Sequence, residues 1–133
     1  MAKKVLIVDD EESVRKSIAI ILYLNRGFEV LEAEDGLVGL EVAKKQKPDL
    51  IISDVVMDNL NGFMMLESLK EDPETAKIPV ILMTNPAKDA GAWKSGAAIE
   101  YLEKGFTLDE LLAVIDRILK AEPTDEEKLI YPI

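Results

Sequence analysis

Cysteine and histidine are both absent from the 133 residues, and that removes much of enzyme chemistry at once. The chain cannot form a disulfide, a thiolate nucleophile, a Ser-His-Asp triad or a zinc site of the usual nitrogen and sulfur ligands. Carboxylates, hydroxyls, lysines and oxygen-ligand metal chemistry remain. Basic residues are also few, 16 against 26 acidic ones, for a formal net charge of −10. Binding to nucleic acid or to an anionic membrane needs clustered Lys and Arg to neutralise phosphates, so neither surface is expected. Long apolar runs are missing too. Met1-Ala2-Lys3-Lys4 leads into a short apolar run that stops at two aspartates, well short of a signal peptide or of the roughly 18 residues of a membrane span. A cytoplasmic protein is the expectation. What the chain does have is apolar content, 48% of its residues, enough for one sizeable core and one domain.

Five short apolar segments alternate with stretches of helical period, the βαβ pattern of a parallel sheet. The expected strands are Val5 to Val8, Phe28 to Ala33, Leu50 to Ser53, Val80 to Thr84 and Ile99 to Glu103. The first, third and fourth are nearly unbroken apolar runs, as needed where helices cover both sheet faces, and should be central. The second and fifth interleave glutamates and should form the edges. Between strands, Val14, Ile18, Ile21 and Leu22 mark the buried face of a first helix ending near Asn25-Arg26-Gly27. Leu37, Leu40 and Ala43 suggest a second helix, and Phe63, Leu66 and Leu69 a third. A short fourth is expected between Pro86 and Ala98, where glycine and alanine give a helix little to bury. Leu108, Leu111, Leu112, Ile115, Ile118 and Leu119 mark the fifth, with Thr107 and Glu110 as a capping box. Right-handed crossovers then give a doubly wound, flavodoxin-like α/β fold with strand order 2-1-3-4-5 and about five helices. The domain should span residues 1–120. Residues 121–133 form a tail, polar and then apolar.

Ligands in such folds bind beyond the carboxyl ends of the strands. Asp9, Asp10 and Glu11 follow the first strand, Asp54 the third, Thr84 closes the fourth, and Lys104 follows the fifth; the second strand exit has no matching group. Like charges about 4 Å apart repel by roughly 4 kcal/mol at an effective dielectric of 20, so Asp9, Asp10 and Asp54 call for a cation or a raised pKa. Hard oxygen donors favour Mg²⁺. With Lys104 as a point charge and Thr84 as a hydroxyl, these are the parts needed to hold a phosphoryl group: a carboxylate nucleophile, a divalent ion, a cation and a hydrogen-bond donor. Each residue alone has a plainer reading. An Asp-Asp pair can be a turn or a helix N-cap, Thr84 a strand end and Lys104 a solvated charge. It is their coincidence with strand exits, located from hydrophobicity alone, that points to a site.

Val5-Leu6-Ile7-Val8-Asp9-Asp10-Glu11, Pro48-Asp49-Leu50-Ile51-Ile52-Ser53-Asp54, Met57 and Gly62, Pro79-Val80-Ile81-Leu82-Met83-Thr84 and Tyr101-Leu102-Glu103-Lys104 together resemble the receiver domain of bacterial two-component response regulators, over about residues 3 to 120. The resemblance implies that Asp54 is the phosphoacceptor, that Asp9 and Asp10 bind Mg²⁺ together with Asp54 and the backbone carbonyl of Val56, and that Lys104 pairs with the phosphate. It also makes Thr84 and Tyr101 the switch residues. The phosphoryl donor would be a phosphohistidine on a sensor histidine kinase or histidine phosphotransfer protein. Output would be a contact with a downstream protein, through the face of the fourth helix, fifth strand and fifth helix. Dimerisation of the chain on the fifth-helix face stays open. No enzymatic turnover is expected beyond self-phosphorylation and self-dephosphorylation.

Several residues depart from the family pattern. Asp58 stands where proline is common, which removes a fixed φ and adds a negative charge near the site. Gly105 replaces the proline that usually follows the lysine. A cis bond before glycine costs about 2.5 to 4 kcal/mol, so a trans Lys104–Gly105 bond is expected, with Lys104 aimed differently. Asn85 follows Thr84 where a small residue is usual. Val56 and Pro86 stand where the family places the side chains flanking the hydrolytic water. Two alternatives follow: a degenerate receiver acting as an interaction module without phosphorylation, and a Mg²⁺-dependent aspartyl phosphatase, for which the chain leaves no substrate-selecting cap domain.

Overall fold

The computed structural model describes residues 2–57, 59–84 and 100–119. The expected fourth helix, Ile99, Asp58, Asn85, Pro86 and the tail lie outside the described residues. Within them the order is β1 (Lys4–Val8), α1 (Glu12–Arg26), β2 (Glu29–Ala33), α2 (Gly36–Gln46), β3 (Leu50–Asp54), α3 (Gly62–Glu71), β4 (Val80–Thr84), β5 (Glu100–Glu103) and α4 (Leu108–Leu119). The strands form one sheet in the order β2-β1-β3-β4-β5, and every neighbouring pair is parallel. This is the doubly wound, flavodoxin-like arrangement anticipated from the alternation of apolar and helical segments.

Sheet position follows composition. Every residue of β3 and β4 is buried, whereas the glutamate-bearing β2 and β5 remain partly open as edges. Because strand side chains alternate between faces, β1 feeds two cores. Val5 and Ile7 join Ile18 and Leu22 of α1 and Leu111 and Ile115 of α4 on one side. Leu6 and Val8 join Ala43 of α2 and Met65, Leu66 and Leu69 of α3 on the other.

Local chemistry sets the helix ends. Gly27 takes a left-handed φ of 66° and donates its N–H to Tyr23 at 2.9 Å, closing α1 where the sequence anticipated. The capping box of α4 forms as expected: the Glu110 N–H donates to Thr107 Oγ1 at 3.1 Å, and the Thr107 N–H to Glu110 Oε1 at 3.3 Å. Arg26 at the end of α1 donates twice to Asp116 of α4, at 2.9 and 2.6 Å, tying the two helices together.

Two side chains expected in the core are exposed, Leu37 at 52% and Leu108 at 42%. In α2 the buried positions are Gly36, Gly39 and Ala43. A Cβ at Gly39 would stand 2.9 Å from Met65 Sδ and 3.0 Å from a Val8 methyl. The helix therefore approaches through small residues, and bulky Leu37 projects outward. Leu108 sits in the first turn of α4, ahead of the stretch that packs on the sheet.

Candidate functional site

The acidic cluster is a product of parallel pairing. Val8 pairs with Ser53 and Asp54 with Met83, so the residues leaving β1, β3 and β4 emerge side by side at one edge of the sheet. Asp9 is fully buried, and Asp54 is 6% exposed, while Asp10 is exposed. One carboxylate oxygen from each of the three lies within 4.8 Å of the others. At that distance and an effective dielectric of 20, two full charges repel by about 3.5 kcal/mol.

Hydrogen bonds relieve part of this. Asp9 Oδ1 accepts the Glu11 N–H at 2.9 Å, and Asp54 Oδ1 accepts the Val55 N–H at 2.9 Å. The Asp-Asp pair does not cap α1, whose N-cap is Glu11 without a side-chain bond. Asp9 Oδ2 is buried with no hydrogen-bond partner. Lys104 Nζ stands 3.1 Å from Asp54 Oδ2 and 3.5 Å from Asp9 Oδ2.

Proton affinities follow these surroundings. Burial, with the Asp54 charge adding to it, raises the Asp9 pKa from 3.8 to about 6 despite the Glu11 N–H and Lys104. Burial also raises that of Asp54 against the pull of Lys104 and the Val55 N–H. Partial burial works against the Lys104 charge, but the carboxylates of Asp54 and Asp9 outweigh it and raise its pKa. The site is thus an anionic cluster, two of its carboxylates buried and that of Asp10 exposed, with the Lys104 ammonium beside it.

Lys104 reaches both carboxylates although Gly105 follows it. The Lys104–Gly105 bond is trans, and Gly105 has a φ of 100°, a conformation closed to proline. The Lys104 N–H donates to the Thr84 carbonyl at 2.7 Å, which fixes the backbone beside β4. The altered aim expected from the missing proline does not keep the ammonium from the acidic pair.

The other residues singled out from sequence sit around this centre. Thr84 is buried at the end of β4, 4% exposed, directly across from Glu103. Tyr101 lies opposite Leu82 in β5 and packs partly buried against the core on the α2 and α3 side. Val56 is in the loop after Asp54, with its side chain half exposed.

Three contributors were not legible in the sequence as site residues. Arg15 of α1 donates from Nη1 to the Asp9 carbonyl at 2.7 Å and from Nε to Glu32 Oε1 at 3.2 Å, anchoring the turn that carries Asp9 and Asp10. Burial would raise the Glu32 pKa, but Lys16 and Arg15 together hold it below the ordinary value. Asp35, just past the strand exit that had seemed empty, caps α2 by accepting the Val38 N–H at 3.0 Å. Its second oxygen accepts from Asn59 Nδ2 at 2.7 Å. The Val38 bond first, then Asn59, hold the Asp35 carboxyl below the usual range. Asp35-Gly36 ahead of a helical stretch is an N-cap signal that could have flagged the first half of this arrangement; nothing local marks Arg15 or Asn59.

The family model described as the response regulator receiver domain matches residues 5–116, and the chain belongs to that family. It is 36% identical over 118 residues to the protein PilH of Pseudomonas aeruginosa, covering 87% of this chain and 97% of PilH. It is 32% identical over 119 residues to RpaA, a DNA-binding dual master transcriptional regulator of Synechocystis, covering 88% of this chain and 49% of RpaA. The chain therefore spans nearly all of one relative and about half of the other. Among solved structures, the chemotaxis protein CheY4 of Vibrio cholerae is similar with a TM-score of 0.76 and 32% identity, over 89% of this chain and 99% of that one. The signal receiver domain of a signal transduction histidine kinase from Syntrophus aciditrophicus gives a TM-score of 0.81 at 28% identity, over 93% of this chain and 96% of that one. Among the described residues no helix is long and apolar enough to cross a membrane.

Proposed function

We propose that this receiver domain accepts a phosphoryl group on Asp54 with Mg²⁺ as cofactor, and that the modification switches a protein-binding face. The observation that carries the reading is Asp9 Oδ2, a buried carboxylate oxygen without a hydrogen bond, beside Asp10 and Asp54. Lys104 Nζ stands 3.5 Å from that oxygen but makes no hydrogen bond to it, and a buried charge satisfied only in part is costly; an all-oxygen donor set suits a hard divalent cation. Asp9, Asp10, Asp54 and the Val56 carbonyl would hold Mg²⁺, which supplies charge neutralisation at the phosphoryl oxygens.

The chain's own residues do the rest. A carboxylate oxygen of Asp54 bonds to phosphorus as the phosphorus–nitrogen bond of a partner's phosphohistidine breaks, and the imidazole keeps the bonding pair. Lys104, already 3.1 Å from Asp54, stays close to pair with the transferred group. Burial of Asp54 at the end of β3 restricts the directions of attack and orients the nucleophile. Thr84 at the end of β4 offers a hydroxyl to the phosphorylated site, and Tyr101 on the next strand shifts with it. The two conformations are populations in equilibrium that phosphorylation rebalances.

The donor partner is a sensor histidine kinase or a histidine phosphotransfer protein, and the output partner is a protein. The domain turns over no external substrate beyond its own phosphorylation and dephosphorylation. Incubation with Mg²⁺ and a small acyl phosphate, followed by intact mass, tests the reading. One added phosphoryl group in the wild type and none in Asp54→Asn, with an unchanged circular dichroism spectrum, is the expected outcome. No incorporation in the wild type would leave an interaction module; steady release of phosphate from an organic substrate would indicate a phosphatase.

A further inference from the structure

Val56, whose backbone carbonyl is one of the Mg²⁺ ligands in the proposed function, follows the phosphoacceptor in a loop whose sequence has Asp58 in place of the proline that would stiffen it. Another device holds it. At its base the Gly62 N–H donates to the Val55 carbonyl at 2.7 Å, and a Cβ at Gly62 would stand 2.3 Å from the Asp54 carbonyl oxygen. At its crest Asn59 takes a left-handed φ of 66° and extends its amide to Asp35 Oδ2 at 2.7 Å. Next to it the Leu60 carbonyl accepts the Gly36 N–H at 3.1 Å.

Asp35 is itself anchored: it is 7% exposed, and its other oxygen accepts the Val38 N–H in the first turn of α2. The bond from Asn59 is charge-assisted and ends on a helix packed against the core. Such bonds are shorter and about twice as strong as neutral ones. Asn59 also suits the left-handed turn better than most side-chain-bearing residues, so one residue supplies both the turn and the anchor.

We infer that Asp35 and Asn59 are positioning residues for Mg²⁺: their hydrogen bond latches residues 59–61 to the start of α2, and through the Gly62 bond to the Val55 carbonyl this holds the backbone that offers the Val56 carbonyl. The assignment rests on the proposed function. Neither residue touches the ion. Partners that orient a metal ligand typically contribute 10- to 100-fold in affinity, and loss of the latch should fall in the lower part of that range.

The test is calorimetric titration of Mg²⁺ into unphosphorylated wild type, Asn59→Ala, Asn59→Gly and Asp35→Ser, together with the Mg²⁺ dependence of phosphorylation by an acyl phosphate. Asp35→Ser keeps an oxygen for the Val38 N–H, so α2 stays capped, and leaves no second group to reach Asn59. The expected result is a Kd raised about tenfold in all three, with the Mg²⁺ concentration that half-saturates phosphorylation raised by the same factor. Asn59→Gly separates the two contributions, since it keeps the positive φ and removes the bond. A wild-type Kd in Asn59→Gly overturns the assignment, because the backbone conformation alone then suffices. So does a wild-type Kd in Asp35→Ser and Asn59→Ala, however far their melting temperatures fall. A wild type that binds Mg²⁺ while Asp9→Asn does not upholds the proposed function whatever the latch variants do; a wild type that binds none overturns both.

Discussion

Removing Mg²⁺ should reverse the usual effect of mild acid on this domain. Asp9 has a pKa of about 6 in the folded protein against 3.8 ordinarily, so between those values the folded state binds more protons than the unfolded one. A group raised in this way contributes stability that is fully present below the unfolded pKa and lost as pH rises through the folded one. The rise from 3.8 to about 6 corresponds to at most about 3 kcal/mol, since Lys104, 3.5 Å from Asp9 Oδ2, and the exposed Asp10 beside it keep the site in contact with screening charge and solvent. Asp54 is shifted in the same direction, but the two carboxyls share one repulsion, so a proton on either relieves the other and the effects do not sum. Glu32 and Asp35, whose pKa values are lowered, act oppositely, but only as pH falls to about 4 and below. Chelator-treated protein should therefore gain on the order of 2 kcal/mol between pH 7 and about pH 4.5, the remainder coming only as pH falls through the unfolded pKa. Adding Mg²⁺ at 100 times its Kd should restore about 2.7 kcal/mol at pH 7 and flatten the profile, because the ion favours the ionised carboxylates. Urea denaturation at a series of pH values, with and without Mg²⁺, measures both effects, and Asp9→Asn should flatten the metal-free curve. A metal-free wild type that loses stability from pH 7 to pH 5, or an Asp9→Asn variant with the same slope as wild type, would refute the reasoning.

Gly36→Ala should destabilise the domain by about 1 to 3 kcal/mol, since its Cβ would fall 2.1 Å from the Leu60 carbonyl oxygen and neither backbone segment can yield; chemical denaturation measures it. Arg26→Ala should cost about 1 kcal/mol, because the two-pronged bond to Asp116 at 2.9 and 2.6 Å is partly shielded, and the loss should shrink in high salt. The aspartyl phosphate should be long-lived, as the half-exposed Val56 cannot hydrogen-bond an attacking water. Val56→Asn and Pro86→Glu should each shorten its lifetime, a tenfold change corresponding to about 1.4 kcal/mol of barrier, and equal decay in all three proteins would show that neither position orients the water.

The sequence alone determined the sheet. Unbroken apolar runs in β1, β3 and β4 require cover on both faces, glutamates in β2 and β5 require open edges, and right-handed crossovers leave the observed order. It also located Asp9, Asp10, Asp54, Thr84 and Lys104 at the strand exits, because each lies next to a run whose periodicity is local information. Tertiary structure decided whatever depended on distance between segments. Leu37 reads as core from its spacing, yet Gly39 brings α2 so close to Met65 and Val8 that the buried side of the helix is its small-residue face. The trans bond and positive φ at Gly105 leave Lys104 on both carboxylates, which no rule about a missing proline could establish. The bonds from Arg15 to the Asp9 carbonyl and from Asn59 to Asp35 join residues 6 and 24 positions apart. Such pairs leave no mark on a local pattern: hydrogen bonding depends on ångström-scale geometry, and only the folded chain brings these groups within reach of each other.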